Sequence, residues 1–324
     1  MIRRDDYGFF GPDSPSWKVW ASPTALIGFQ RAVVLEHFDP YLAAAVADSA
    51  GIYTDPSGRL DRTLAYFLTV AVADGRTAIE VSDALMRIHA RAKGIEPITG
   101  SRYSANNPEA QLWIHITGWH SVLKCYEQYG PGPLTPGEES RFWAESRIAA
   151  ELQTCKPGDV PASRDEVRQY FANVRGRLCT SEHADRAMHY LLHTPRDRGM
   201  RLWAGSRLLA PAAIATLPRW MRHMGNFSQF AAVDAAVTPI ARAWVRALST
   251  NNFRPMIAVA RRIAPETADV LAQHLSAAPP AHRETVTPAE AREGLAVRTT
   301  PIRPTSRTPS DSSQAQERGR SPVR

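Results

Sequence analysis

Two arginines, a threonine and a histidine carry the most definite chemistry in this sequence. In GRLDRTLAYF, Gly58 to Phe67, residues three and four apart share a helix face, which groups Arg59, Arg62, Thr63 and Tyr66. Leu60, Leu64, Phe67 and Ala71 line another face. Further along, the spacing of Val81, Leu85, Ile88 and Ala92 predicts a core-facing stripe with His89 inside it. A lone buried histidine is ordinarily satisfied by a backbone carbonyl, and the arginines alone read as surface charge or as partners of an acid such as Asp55. Taken together they admit a sharper reading. A neutral imidazole among apolar groups can act as the axial ligand of a non-covalent haem, and planar guanidinium binds the propionates of such a group in bidentate fashion.

Other residues compete for attention. Asp185, His189 and His193 in DRAMHYLLH recur every four positions, so one helix face could seat zinc or a non-haem metal. No second helix with matching carboxylates is evident. His115 and His120 are five apart, roughly 140° around a helix, and are poor partners for one metal. Trp113, Trp119, Tyr103 and His115 read as core, and Glu145 as a helix anchor held in a buried pair. In LLAPAAIATLPRWMRHMG, an apolar run with Trp220 and flanking arginines suggests either peripheral membrane contact or the mouth of a hydrophobic channel. Pro211 and Pro218 argue against one continuous helix there and favour a packed connection.

These side chains need a scaffold, and the sequence predicts a helical one. Apolar residues recur at helical spacing over 25–38, 60–72, 79–92, 110–129 and 230–248, and no stretch makes a convincing strand. Thr77 with Glu80, Thr135 with Glu138 and Ser163 with Glu166 have capping-box spacing, and Asn107–Pro108 is a further start. Gly94 and Gly130 supply stops, while Asp55–Gly58 and Gly130–Pro133 read as turns. The expectation is all-α: a single mostly helical domain of about nine or ten helices over residues 1–275. Residues 276–324, rich in Pro, Ser, Thr and Arg, are expected to be a disordered tail. That tail carries eight Arg against five Asp and Glu, so it holds +3 of the net +7 and leaves +4 for the rest. A nucleic-acid partner is therefore not expected. Cys125, Cys155 and Cys179 stand apart with no C-x-x-C and read as reduced thiols. With neither a signal peptide nor a membrane-length apolar run, the expected location is cytoplasmic.

The order DPSGRLDRT, RIHARAKG, GSRYSANNPEAQLWIH and YEQYGPGPLTPGEESRFWAES resembles the MpaB-type oxygenase and rubber oxygenase (latex clearing protein) family, over roughly residues 11–170 and more weakly to about 250. The resemblance implies a helical domain binding haem b without covalent attachment. It further implies dioxygen as co-substrate and a hydrophobic, isoprenoid or lipid-like substrate, with oxidative cleavage of C=C bonds among the reactions. Carried onto this sequence, it makes His89 the proximal iron ligand, sets Arg59 and Thr63 beside the haem, and puts Arg62 where the rubber-cleaving branch has a lysine. Arginine has no lone pair to give, so a lysine-type distal ligand is absent. Arg62 and Thr63 remain the catalytic candidates on the distal side. The rubber-cleaving branch also uses an acid there, for which Glu36 in VVLEHFDP is a candidate outside the quoted motifs. A non-catalytic haem or lipid carrier, and a metal enzyme built on Asp185, His189 and His193, are the alternatives.

Overall fold

Several helix starts repeat one device: an acid, amide or hydroxyl followed by proline. Asp39–Pro40, Asp55–Pro56, Asn107–Pro108 and Thr135–Pro136 each set a side chain to accept first-turn N–H groups, with proline at the position where its missing N–H costs nothing. Thr135 and Glu138 complete a reciprocal capping box.

The structure is a computed structural model and describes residues 4–275, 280–282 and 284–299. In chain order its helices are α1 (Pro15–Trp20), α2 (Thr24–Glu36), α3 (Pro40–Ser49), α4 (Gly51–Thr54), α5 (Pro56–Val72), α6 (Gly75–His89), α7 (Pro108–Tyr129) and α8 (Pro136–Ala150). There follow α9 (Arg164–Val174), α10 (Glu182–Leu192), α11 (Met200–Thr216), α12 (Arg219–Met224), α13 (Ala231–Leu248), α14 (Thr250–Ile263), α15 (Pro265–Leu275) and α16 (Pro288–Thr299). The all-α expectation holds. Sixteen helices among the described residues exceed the nine or ten expected, because short pieces such as α1, α4 and α12 lack a full period of pattern.

At the centre α7 packs along α2. Gly28 makes this close approach possible, since a Cβ there would lie 2.7 Å from the Cα of Val122. One apolar cluster, with Trp20, Tyr66, Val72, Trp119 and Phe142, fills one side of this pair. A second, with Ile27, Phe38, Trp113, Met188 and Ile214, fills the other. No described helix is long and apolar enough to cross a membrane.

Several local expectations are corrected. Asp55–Gly58 is the first turn of α5 rather than a separating turn, because Asp55 caps it. α6 starts at Gly75 with Asp74 as its cap, upstream of Thr77, and it ends at His89, well before Gly94. Gly94 lies instead in a short antiparallel hairpin, β1 (Lys93–Ile95) with β2 (Arg102–Ser104). There a Cβ would sit 2.6 Å from the Tyr103 ring and 2.8 Å from an Asp48 oxygen. Pro211 lies inside a continuous α11, its carbonyl accepting from Gln229 Nε2, and only Pro218 marks a break. Of the expected core stripe Val81 and Leu85 pack half-buried on the core, but Ile88 is 65% exposed, and the residues α6 buries fully are Gly75, Ala78, Ile79 and Ser82.

The segment expected to be disordered from Ser276 is partly ordered. Residues 276–279, 283 and 300–324 lie outside the described residues. Within the rest, Ala281, His282 and Val286 donate backbone N–H groups to Arg4, Asp5 and Gly8, and Tyr7 donates to Glu284. Val286, Ala291 and Leu295 pack on the core, and Arg292 pairs with Asp83 of α6 at 2.8 Å.

Candidate active site

The α5 face divides in two. Arg59 lies half-buried against Gly51, its Nη1 3.2 Å from where a Cβ would stand, and its guanidinium makes no hydrogen bond or ion pair among the described residues. Arg62 points outward and pairs with Asp55 at 3.0 Å, both side chains more than half exposed. Thr63 is half-buried and donates its hydroxyl to the Arg59 carbonyl at 2.7 Å, one turn back. Tyr66 turns into the core with its hydroxyl buried beside Ser82 and Gln153.

His89 occupies the last position of α6, half-buried. Gln111 of α7, itself buried, brings its amide Nε2 within 3.2 Å of His89 Nδ1 and also donates to the Ala105 carbonyl. Burial, and secondarily the Arg59 charge, pushes the imidazole pKa below its ordinary value and keeps the ring neutral.

Arg59 also faces the end of α2. Glu36 sits there, and desolvation pushes its carboxyl up to about 7, opposed by Thr117 and by Arg59. The Thr117 hydroxyl is 3.4 Å from Glu36 Oε1. Glu36 retains some accessible surface although its surroundings desolvate it strongly, as expected for a carboxyl facing an enclosed space. Its neighbour His37 is buried, with Nδ1 at the Val33 carbonyl and Nε2 unpartnered, and burial pushes it down to about 4 with Arg59 assisting.

Three helices therefore meet at the Arg59 end of α5: α2 with Glu36 and its C-cap His37, α6 with His89, and α7, whose Thr117 reaches Glu36 and whose Gln111 reaches His89. The set contains a carboxyl poised near neutrality, a neutral imidazole and a cation with no bound anion. Arg59 and His89 come together, Thr63 lies one turn from Arg59, and Arg62 faces solvent. His37, Gln111 and Thr117 had no signal in the sequence, since each is a polar residue in an otherwise packed helix.

The donor set fits haem in kind. Arg59 lacks the anion a propionate would supply, and His89 has a lone pair to give. One adjustment is required. The Gln111 amide donates to Nδ1, which puts the imidazole proton on Nε2, whereas a ligand nitrogen at Nε2 would call for Nδ1–H facing an acceptor such as the Gln111 Oε1.

The metal alternative finds no such geometry. α10 ends at Leu192, so His193 leaves helical conformation and lies exposed. Asp185 and His189 form only an exposed pair at 3.3 Å. Among the described residues no three His, Cys, Asp or Glu are placed to hold a metal ion. His115 is a core residue bonded through Nε2 to Ser146, and Glu145 is buried, accepting from Arg141 at 2.7 Å and from the Ser16 amide.

No curated protein and no solved structure matches this chain. The catalytic domain described as ER-bound oxygenase mpaB/B'/Rubber oxygenase matches residues 17–250, which contain every residue of the cluster around Arg59. That span is more than two thirds of the sequence, and the chain belongs to this family of oxygenase catalytic domains.

Proposed function

We propose that this chain is a haem b-dependent oxygenase that uses dioxygen on a hydrophobic, isoprenoid- or lipid-like substrate, with cleavage of a C=C bond, as in the rubber-cleaving branch, among its candidate reactions. The observation that carries the reading is the half-buried Arg59 guanidinium without an anion, beside a neutral His89 and a carboxyl near neutrality. His89 would hold the iron and Arg59 a propionate, with Thr63 at the same wall. When bound, haem supplies the iron at which dioxygen is activated.

The chain's own residues do the rest. Glu36 at a pKa of about 7 is the proton carrier: ionised, it accepts a proton from the substrate, and Thr117 holds its Oε1 in place. Arg59 keeps the Glu36 carboxylate accessible near pH 7 by opposing desolvation. Arg62 is held outside by Asp55 and would reach the site only by leaving that pair, there donating to an oxygen ligand and not holding a propionate, since arginine donates no electron pair.

The purified chain is expected to show a Soret band with about one haem b per chain, lost in His89→Ala. A colourless wild type after expression with haem precursor, or an unchanged band in His89→Ala, overturns the reading. Dioxygen consumption with an isoprenoid or lipid substrate separates an oxygenase from a carrier without turnover.

A further inference from the structure

The apolar spacing that buries Val237, Ala241, Val245 and Leu248 of α13 uses only one side of that helix. On the other side every exposed position is alanine, valine, proline, isoleucine or arginine, with no acid, amide or hydroxyl among them. Ile240 is 64% exposed, and Phe230, the N-cap, is 84% exposed. A helix face that met only water would carry charged and amide side chains, so this one lacks its partner. The stretch 208–225, expected to touch a membrane, does not offer such a face. Its Ala210, Ala212, Ala213 and Ile214 are buried in the second apolar cluster, and Leu208 alone of its large apolar side chains is exposed.

Charge gathers on the same helices. Residues 200–263, which hold α11 to α14, contain nine Arg and no Lys against one Asp and no Glu, a net +8 that exceeds the +7 of the whole chain and leaves −1 for everything else. The single acid, Asp234, is half-buried and already held by Arg222 at 2.9 Å and by Gln229 at 2.6 Å. Arg246, Arg254 and Arg261 are exposed and form no ion pair among the described residues. These helices are neighbours: α14 follows α13 directly, and Arg201 at the start of α11 donates its Nη1 to the Arg262 carbonyl of α14 at 3.0 Å. Exposed large apolar side chains collect here too, at Met200, Leu208, Phe230, Val233, Ile240 and Val259, with Ile88, Ile95 and Ile98 the others among the described residues.

We propose that the outward face of α13, flanked by the arginines of α13 and α14, is a docking surface for an anionic lipid bilayer. Apolar side chains enter the boundary between headgroups and acyl chains while guanidinium groups meet the lipid phosphates and carboxylates, and each arginine near such a surface strengthens binding about fivefold. The contact is interfacial: α13 is amphipathic, and no described helix is long and apolar enough to cross. A nucleic acid would match the charge but gain nothing from Phe230 and Ile240. A second copy of the chain would match the apolar face but bring Arg246 and Arg254 against their own kind. Docking needs neither haem nor turnover, so its failure is distinct from failure of the oxygenase reading; on that reading it brings the chain to the phase that dissolves a lipid-like substrate.

Sedimentation of the full-length protein with phosphatidylcholine vesicles, with and without roughly one third phosphatidylserine, tests this. Binding to the anionic vesicles is expected, with weak binding to pure phosphatidylcholine and a decline as salt rises. Phe230→Ser with Ile240→Ser, and separately Arg246→Gln with Arg254→Gln, should each lower the partition coefficient by about tenfold or more with helical content retained, since all four side chains are exposed. Ile98→Ser, exposed at the hairpin, should leave it unchanged. Absence of binding to anionic vesicles, equal binding to neutral ones, or loss in Ile98→Ser overturns the proposal. Binding that survives both double substitutions also overturns it, by assigning the contact to another part of the chain. So does a dimer in solution that Phe230→Ser with Ile240→Ser dissociates, which gives this face to a second copy.

Discussion

Arg59 and Arg62 stand three residues apart on one helix and carry the same charge, yet their surroundings separate them. Arg59 has no bound anion, and burial lowers its pKa, whereas Arg62 has solvent and Asp55. Arg59→Ala is therefore expected to weaken haem retention strongly, by tenfold or more, because a half-buried propionate loses its charged partner. Arg62→Ala should change retention by less than twofold, since an exposed pair contributes at most about 1 kcal/mol. Equal losses in a haem-transfer assay would remove the distinction. Glu36 gives a second contrast. If its ionised form accepts the proton, turnover falls as pH drops through about 7, and Glu36→Gln removes turnover and its pH dependence together. The same variant has a readout that needs no turnover. Because the folded carboxyl is pushed above its ordinary value, folding favours the protonated form, and the penalty grows as pH rises from about 4.5 to 7. Glu36→Gln should then raise stability at pH 8 by roughly 3 kcal/mol and change it little at pH 4.5. The sequence singled out Arg59 and His89 by helical spacing, and the structure sets them near one another although the stripe expected around His89 is exposed at Ile88. Gln111 and Thr117 were not singled out, because only the packing of α7 against α2 and α6 brings them to the same place.

At the scale of elements, local chemistry announced the helix starts and tertiary contact decided the rest. Asn107–Pro108 and Thr135 with Glu138 could be read from the sequence because a cap and its proline are adjacent in the chain. The β1–β2 hairpin could not, since three-residue strands are too short to show alternation. Pro211 failed to interrupt α11 because Ala210, Ala212 and Ala213 bury that stretch in the core, and packing outweighs the lost backbone hydrogen bond. The start of α15 has its cap in another helix. Asp61 is buried and accepts two amide N–H groups and the Thr267 hydroxyl, a pairing across some two hundred residues. Asp61→Ala leaves those donors unsatisfied and should cost about 2 to 4 kcal/mol, while Asp61→Asn retains an acceptor and should cost less. Chemical denaturation of both variants checks this, and equal stability of Asp61→Ala and the wild type would show that α15 holds its place by apolar packing alone.

For the whole molecule, two segments distant in the chain hold one another: residues 4–8 pair with 281–286, and α16 covers α6, the helix that ends in His89. Composition pointed the other way, since a Pro- and Arg-rich stretch has no periodicity of its own and gains order only against a surface supplied elsewhere. Truncation before Ser276 should accordingly lower the melting temperature, and an unchanged value would mean that this packing adds nothing to stability. The buried histidines set the response of the entire fold to acid. Burial pushes His37 and His115 down to about 4 and His120 well below its ordinary value, with the nearby Arg31 and Lys124 charges adding to the effect on His120. A folded pKa below the unfolded one means that the unfolded chain takes up protons first, so stability is full above about 6.5 and is lost as pH falls towards 4. Each such group contributes about 1.4 kcal/mol per pH unit, and Glu36 alone returns a similar amount over the same interval. The histidines outnumber it, so stability should peak between about pH 6.5 and 7 and decline towards pH 4.5 with a slope of at least one proton. Glu36→Gln, which abolishes the opposing contribution, should make that acid decline steeper. A melting temperature that stays level or rises from pH 6.5 to 4.5 in the wild type would mean that these imidazoles reach solvent in the folded protein, and that the enclosure described around α7 is more open than its packing indicates.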